Sequence, residues 1–460
     1  MAAVRNAGAR AGARRSPHEP GADLLYILRV TPFNSIAEFL AGTAGSLQRR
    51  GDALAHALER ARADNSMQRI YTRLLDAPAL RAVEFSQHRA PAPLLGVPVA
   101  IKDNIDVAGE QTSCGRRIDP EPAAQSAAIV TRIETLGAIL VGKTNLDEAA
   151  LGATGCNPRF GRCHNPRFAD RLSGGSSSGS AAAVAAGHAL LGIGTDTLGS
   201  VRIPAAYCGI VGFKPTHGRL PTTGVAPLCP RFDSLGLLAR SLADMTEVAE
   251  LLFEPDAAPA GTEHGALRLR VLDDAALTDV AADVAAGYRG CLRLLRESAE
   301  CRGRAAPQIE WTATARAALW EVAHEFAERS VRALPGYHAL HDIDGALGGL
   351  LARAASLPAA RRANGRTLIE RSSARLRHCL LAADAVLTPA CPQGAPRIAE
   401  DPPNTVAAFV APANLAGLPA VAWTQRLGPE LEVSLQLIGR SGEDLRLLGL
   451  ASRVQRLLDP

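Results

Sequence analysis

Lysine is almost missing from this 460-residue chain: Lys102, Lys143 and Lys214 are the only three among 50 basic residues, and the rest are arginine. Arginine keeps its proton in a protein whereas lysine can lose it, so each surviving lysine is a candidate for work that arginine cannot do. Ala/Arg-biased coding is the plain alternative. No CxxC pair exists among the nine cysteines, and Cys156, Cys163 and His164 fit no zinc spacing, so a structural metal is not expected. An odd cysteine count in so long a chain points to free thiols and a reducing, cytoplasmic setting rather than a disulfide scaffold. No apolar run reaches the ~20 residues that span a bilayer. The segment from Met1 to Asp23 lacks the apolar centre of a secretory leader, and residues 1–24 are expected to form a frayed tail. A net charge of +4 without a basic stripe argues against a nucleic-acid partner.

What is present is a globular composition, 47% apolar and 21% charged, large enough for a substantial core. Helical spacing runs from Ile36 to Leu80, with Ala53, Leu54, Leu58 and Ala61 on one face. The apolar run Leu94–Ile101 reads as a buried strand with Lys102 at its end. Ser126–Leu136 reads as a helix closed by Gly137, and Ala138–Val141 as the next strand. Strands return at Ala385–Pro389 and Val433–Leu437. Strands alternating with helices imply an α/β architecture around a mostly buried sheet. Residues 25–460 are expected to form one domain, with a largely helical variable segment at about 255–380.

Two motifs invite other readings. Gly137–Thr144 matches the phosphate-binding loop pattern G-x-x-x-x-G-K-[ST], but the four intervening residues, Ala-Ile-Leu-Val, suit a strand whose amides pair with neighbours and cannot cradle phosphates. Gly175-Ser176-Ser177-Ser178-Gly179 satisfies the nucleophile elbow of α/β-hydrolase esterases, with Ser177 as nucleophile. That elbow needs a preceding strand, and Asn165–Leu172 makes a poor one. The downstream histidines His324, His338, His341 and His378 stand in undistinguished contexts.

A third combination uses Lys102, Ser176 and Ser200. A serine hydroxyl is a weak nucleophile until a base takes its proton. Lysine serves as that base only when neutral, and burial at the end of Val97–Ile101 favours the neutral amine. A lysine paired with Asp103 or Asp106 is the bland alternative. Three stretches carry a resemblance: Gly96–Asn104, Gly174–Ser180 and Gly194–Ala205. In order and spacing they resemble the amidase-signature family, and the likeness continues through Gly209–Thr216, Gly218–Pro221, Asn414–Pro419 and Leu435–Gly439.

The resemblance implies the amidase-signature fold, a central mixed β-sheet covered by helices on both faces. It implies a Ser–cis-Ser–Lys triad in which Ser200 attacks the carbonyl, Ser176 relays the proton and Lys102 accepts it. The backbone amides of Thr197, Leu198 and Gly199 would form the oxyanion hole, with Ser177 and Asp196 in support; Arg202 would make a structural ion pair. Most relatives carry glycine where Leu198 and Ser178 stand, so Leu198 would narrow the acyl pocket. Cys114, within Thr112–Gly115, and Arg231, within Val225–Ser234, fall in segments that wall the substrate pocket in the family. A surface role is the plainer reading of Arg231. The implied activity is hydrolysis of a small amide, ureido compounds such as allophanate included, through a seryl acyl-enzyme without a cofactor. Some relatives are instead the amidase subunit of a glutamine-dependent tRNA amidotransferase, which would need a partner subunit; a homodimer is the stand-alone expectation.

Overall fold

A computed structural model describes residues 33–76, 78–79, 92–256, 265–331, 343–400, 405–428 and 431–459. The expected N-terminal tail and the histidines His338 and His341 lie outside the described residues. Two helices open the described chain, α1 (Ile36–Thr43) and α2 (Leu47–Gln68), followed by β1 (Tyr71–Leu74), β2 (Pro98–Lys102), α3 (Ala128–Thr135) and β3 (Ile139–Thr144). The central part comprises α4 (Ser178–Ala186), β4 (Leu191–Asp196), α5 (Arg202–Cys208), β5 (Val211–Lys214), β6 (Ser234–Ala239) and α6 (Leu242–Leu252). Then come β7 (Leu267–Val271), α7 (Ala282–Glu297), β8 (Cys301–Ala305), α8 (Trp311–Val331), α9 (Gly345–Ala355), α10 (Ala359–Leu380) and β9 (Ala385–Pro389). The chain closes with α11 (Ala411–Leu415), β10 (Ala420–Arg426), β11 (Glu432–Ile438) and α12 (Asp444–Leu458).

Serine side chains start several of these helices: Ser35, Ser46 and Ser241 each accept from the amide three residues on, satisfying a donor the helix cannot. The strands form one mixed sheet in the order β1-β3-β2-β4-β6-β5-β10-β11-β9-β7-β8. β2 lies parallel to both β3 and β4, whereas β4 pairs antiparallel with β6. Every residue of β2, β3, β4, β5, β6 and β9 is buried, so helices and loops cover both faces there.

Helix α4 is built almost wholly of serine, glycine and alanine, and the small side chains let its backbone approach the sheet closely. A Cβ on Gly179 would stand 2.2 Å from the Ile70 carbonyl oxygen and 2.6 Å from the Asn145 nitrogen. Both are backbone atoms that cannot swing aside, so only glycine fits.

The stretch from about 255 to 380 is largely helical among the described residues, and it contributes β7 and β8, a parallel pair at the sheet edge. In β7 the Leu-Arg-Leu-Arg-Val alternation buries every second residue, and β8 is buried only at Cys301; arginines facing solvent on an edge interrupt the apolar run that marks a central strand. The strand after α3 runs further than Val141, through Gly142, Lys143 and Thr144. Those three residues pair with β1 and β2, which disposes of the phosphate-loop pattern. Lys143 is buried, donating to the Ile105 carbonyl at 2.7 Å and pairing with Asp103 at 3.2 Å.

Candidate active site

Two parallel neighbours in the sheet, β2 and β4, end side by side, and their last residues bring the chemistry together. Lys102 closes β2, fully buried, and its Nζ donates to Ser176 Oγ and to Thr195 Oγ1, each at 2.8 Å. Burial pushes the lysine down to about 7, against the pull of the Asp147, Asp196 and Asp233 carboxylates. Asp103, one expected pairing partner of a bland lysine, is engaged elsewhere, by Lys143 and the Ser113 hydroxyl.

Ser176 follows a cis peptide bond from Gly175. The loop is seated on Asp147, a buried carboxylate that accepts from Thr154 N, Thr154 Oγ1 and Gly155 N at 2.8–3.1 Å. A Cβ on Gly175 would fall 1.8 Å from Asp147 Oδ2, so a side chain there would displace the carboxylate. The next residue ties this loop to the nucleophile candidate, since Ser177 N donates to the Ser200 carbonyl at 3.0 Å. Ser177 Oγ donates to the Thr195 carbonyl at 3.2 Å. The hydroxyl is thus spent on backbone, Ser177 is fully buried, and the segment in front of it contains no strand. His324 lies in α8 against the Ala354 carbonyl and Arg362, and His378 in α10. The Ser177 elbow reading therefore finds neither a preceding strand nor an uncommitted hydroxyl.

Ser200 sits in the turn between β4 and α5, 9% exposed. Asp196 shapes that turn: its carboxylate accepts from Gly199 N at 2.9 Å and Val201 N at 3.0 Å. It also receives Arg202 Nη2 at 2.8 Å and Nε at 3.1 Å, together with Asn414 Nδ2 at 2.9 Å. Burial alone would raise this carboxyl, but the Arg202 guanidinium and the converging donors hold it well below the usual carboxylate range. Arg202 reaches on to the Val410 carbonyl and Gln436 Oε1 at 2.8 and 2.6 Å, locking the turn to the closing strands. Asp196→Asn leaves Arg202 buried without its counter-charge, and we expect a loss of about 3–5 kcal/mol in unfolding free energy. A urea titration that moves by less than ~1 kcal/mol would show that the pair does not hold the turn.

The three amides expected to bind an oxyanion divide. Gly199 N is committed to Asp196, so its N–H is not free to donate. Among the described residues, no protein acceptor takes the amides of Thr197, Leu198 or Ser200. Gly199 has φ +110, and a Cβ there would lie 2.2 Å from Val410 Cγ2. The Leu198 side chain, like Leu151, packs against the apolar cluster that contains Leu228, Phe232, Ala318 and Val322, so it adds to an apolar wall beside the nucleophile.

The two substrate-binding candidates fare less well. Cys114 is buried at φ +54 beneath Ala149, whose amide donates to its carbonyl, and burial pushes the thiol up to about 12. Arg231 is held between Glu321 at 2.5 Å and Glu325 at 3.0 Å and lies over the Phe232 ring. Two carboxylates already satisfy its fork, which leaves no unmatched charge for a substrate acid. Thr195 and Asn104 were not anticipated: Asn104 Nδ2 donates to the same Thr195 Oγ1 that receives Lys102. Their signal in the sequence is only adjacency, Asn104 two residues after the lysine and Thr195 one before Asp196. Among the described residues no cluster of three or more His, Cys, Asp or Glu is arranged to hold a metal. None of their helices is long and apolar enough to cross a membrane.

Comparison with known proteins gives the family and the fold. The family model described as Amidase matches residues 52–273. A glutamyl-tRNA(Gln) amidotransferase subunit of Symbiobacterium thermophilum is 34% identical over 412 residues, spanning 79% of this chain and 83% of the relative. The chain belongs to the amidase-signature family. This amidase is a hydrolase of carbon–nitrogen bonds other than peptide bonds. It is also 39% identical over 265 residues to an indoleacetamide hydrolase of Pseudomonas syringae pv. syringae, 56% of the amidase chain and 59% of that relative. A crystal structure of an amidase, 28% identical, superposes with a TM-score of 0.77 over 92% of this chain and 98% of the other. The mixed sheet of the amidase, with helices about it, is that family's fold.

Proposed function

We propose that this amidase cleaves a small linear amide through a covalent ester on Ser200, with Ser176 as relay and Lys102 as base. One observation carries the reading: the buried, neutralisable Lys102 Nζ stands 2.8 Å from Ser176 Oγ, and the next amide in the chain is bonded to Ser200 itself. Ser200 Oγ attacks the carbonyl carbon while its proton passes to Ser176, whose own proton moves to the Lys102 amine. The oxygen gains negative charge beside the uncommitted amides of Thr197 and Leu198, each such donor being worth about 3 kcal/mol in a dry site. When the C–N bond breaks, the lysine returns its proton through Ser176 to the departing nitrogen, so ammonia or an amine leaves neutral. Water then attacks the ester by the same relay and frees the carboxylic acid. Serine, lysine and backbone dipoles supply every proton and charge in this sequence, so it requires no cofactor.

The apolar wall formed by Leu198, Leu151 and Phe232 favours an acyl group that is uncharged next to the carbonyl. A second reading rests on the likeness to the glutamyl-tRNA(Gln) amidotransferase relative: glutamine would be the amide, and a partner subunit would take up the ammonia. Ammonia released from glutamine only by a copurified complex would select that reading, and turnover of a simple amide by the isolated chain would select the first. Eight of the nine cysteines are buried and all are unpaired, which suits a reducing cytoplasmic setting.

The deciding experiment treats the protein with a serine-reactive phosphonate and maps the adduct by peptide mass spectrometry. We expect the adduct on Ser200 and none in Lys102→Ala. An adduct on Ser177 would overturn the mechanism.

A further inference from the structure

A second cavity, of about 670 Å³, opens at the far end of the helix that Ser200 leads into, between the loop around Phe168 and the loop around Gly394. Its wall carries three arginines and three carboxylates, of which two of each are joined as ion pairs. Arg397 pairs with Asp170 at 2.7 Å, and Arg167 pairs with Glu432. Asp283 folds back onto its own helix, its Oδ1 accepting from Val284 N at 2.8 Å. Arg171 is left over. Its Nη1 donates to the Ala395 carbonyl at 2.8 Å and its guanidinium lies 5.6 Å over the Phe168 ring. No carboxylate among the described residues stands within ion-pair distance of it.

One further feature of the same wall favours a polar ligand. Tyr207 lines the cavity while only 2% exposed, and its hydroxyl is buried without any hydrogen-bond partner. Such a group costs about 1–3 kcal/mol unless something bonds to it. Helix α7 starts at the rim, where the Asp283 carboxylate already occupies its first turn. Around these polar groups the lining is apolar, from Ala206, Val284, Val433 and the Phe168 ring.

We infer that this cavity is a ligand site, separate from the triad, for a small monocarboxylate with an apolar or aromatic body, its carboxylate docked on Arg171 beside Tyr207. A planar carboxylate matches the guanidinium fork, and the apolar wall receives the rest of the molecule. The site is wired to the catalytic loops. Tyr207 lies on α5, seven residues from Ser200, roughly 10 Å along a helix. Its ring also packs on Gly174, where an added Cβ would lie 2.9 Å from Tyr207 Cδ2, two residues before Ser176.

Benzoate is the probe, titrated calorimetrically into the full chain, with benzyl alcohol as the uncharged match in size. We expect one benzoate per chain, no heat from benzyl alcohol, and the same affinity in protein whose Ser200 is blocked by phosphonate. Arg171→Gln is expected to weaken binding roughly tenfold, and Tyr207→Phe severalfold. A measurement without variants backs these up: benzoate should slow phenylglyoxal modification of Arg171, followed by mass spectrometry, in the unaltered protein. Absence of binding up to about 10 mM, an affinity too weak for a built site, would overturn the inference. So would loss of binding on blocking Ser200, or full phenylglyoxal reactivity of Arg171 at saturating benzoate.

Discussion

Replacing Ser200 by alanine should lower kcat/KM for a cleaved amide by on the order of 10⁴-fold or more, with little change in melting temperature. The stability half of that expectation follows from the geometry. Among the described residues no group is hydrogen-bonded to Ser200 Oγ, and what the residue gives the fold is its carbonyl, which accepts from Ser177 N. Alanine keeps that bond. The catalytic half follows from the relay: without an oxygen on residue 200, the proton path through Ser176 to Lys102 has nothing to activate. Ser200→Ala combined with Lys102→Ala should then be no slower than Ser200→Ala alone, because groups that act as one unit are lost together. A double variant slower than the single by a further hundredfold would mean that Lys102 has work independent of Ser200. A Ser200→Ala protein retaining a tenth of the activity would move the nucleophile elsewhere.

The site was legible where its parts are contiguous in the chain. Lys102 ends an apolar strand, Ser176 sits among glycines, and Ser200 follows a strand and an aspartate, so each carries its local signature. The parts that were not legible are those made by long-range contacts or by backbone direction. Thr195 reads as an ordinary strand threonine, and only the parallel pairing of β2 with β4 places its hydroxyl 2.8 Å from the lysine amine. Gly199 is an obvious oxyanion donor on position alone, yet the same Asp196 that builds the turn consumes its amide. Arg231 looks available in the sequence because its partners Glu321 and Glu325 arrive from α8, about ninety residues later. The same limit hides β7 and β8: their arginines face solvent at an edge, and strand identity there comes from pairing partners rather than from an apolar run.

The chain's scarcity of lysine becomes a kinetic prediction. Activity should rise as pH passes through about 7 and level off above it. Burial lowers Lys102 from its ordinary 10.5 to about 7, so below that value the amine is an ammonium with no lone pair to offer. Above it the free base accepts the Ser176 proton, and the sign is therefore a loss of kcat/KM on the acid side. Lys102→Arg should be inactive across the whole range, since a guanidinium holds its proton at any working pH. Attribution needs one control, because Lys214 is also fully buried and also lowered to about 7 by burial, with Arg202 pushing the same way. Lys214 donates at 2.6 Å to the Pro215 carbonyl, a bond that holds backbone and touches no triad member. The acid limb should therefore persist in Lys214→Met, whatever that change costs in stability, and the rate of phosphonate labelling at Ser200 should follow the same limb. A limb that vanishes in Lys214→Met, or a labelling rate flat between pH 5.5 and 8.5, roughly the window a base near 7 must dominate, would remove Lys102 from the role of base.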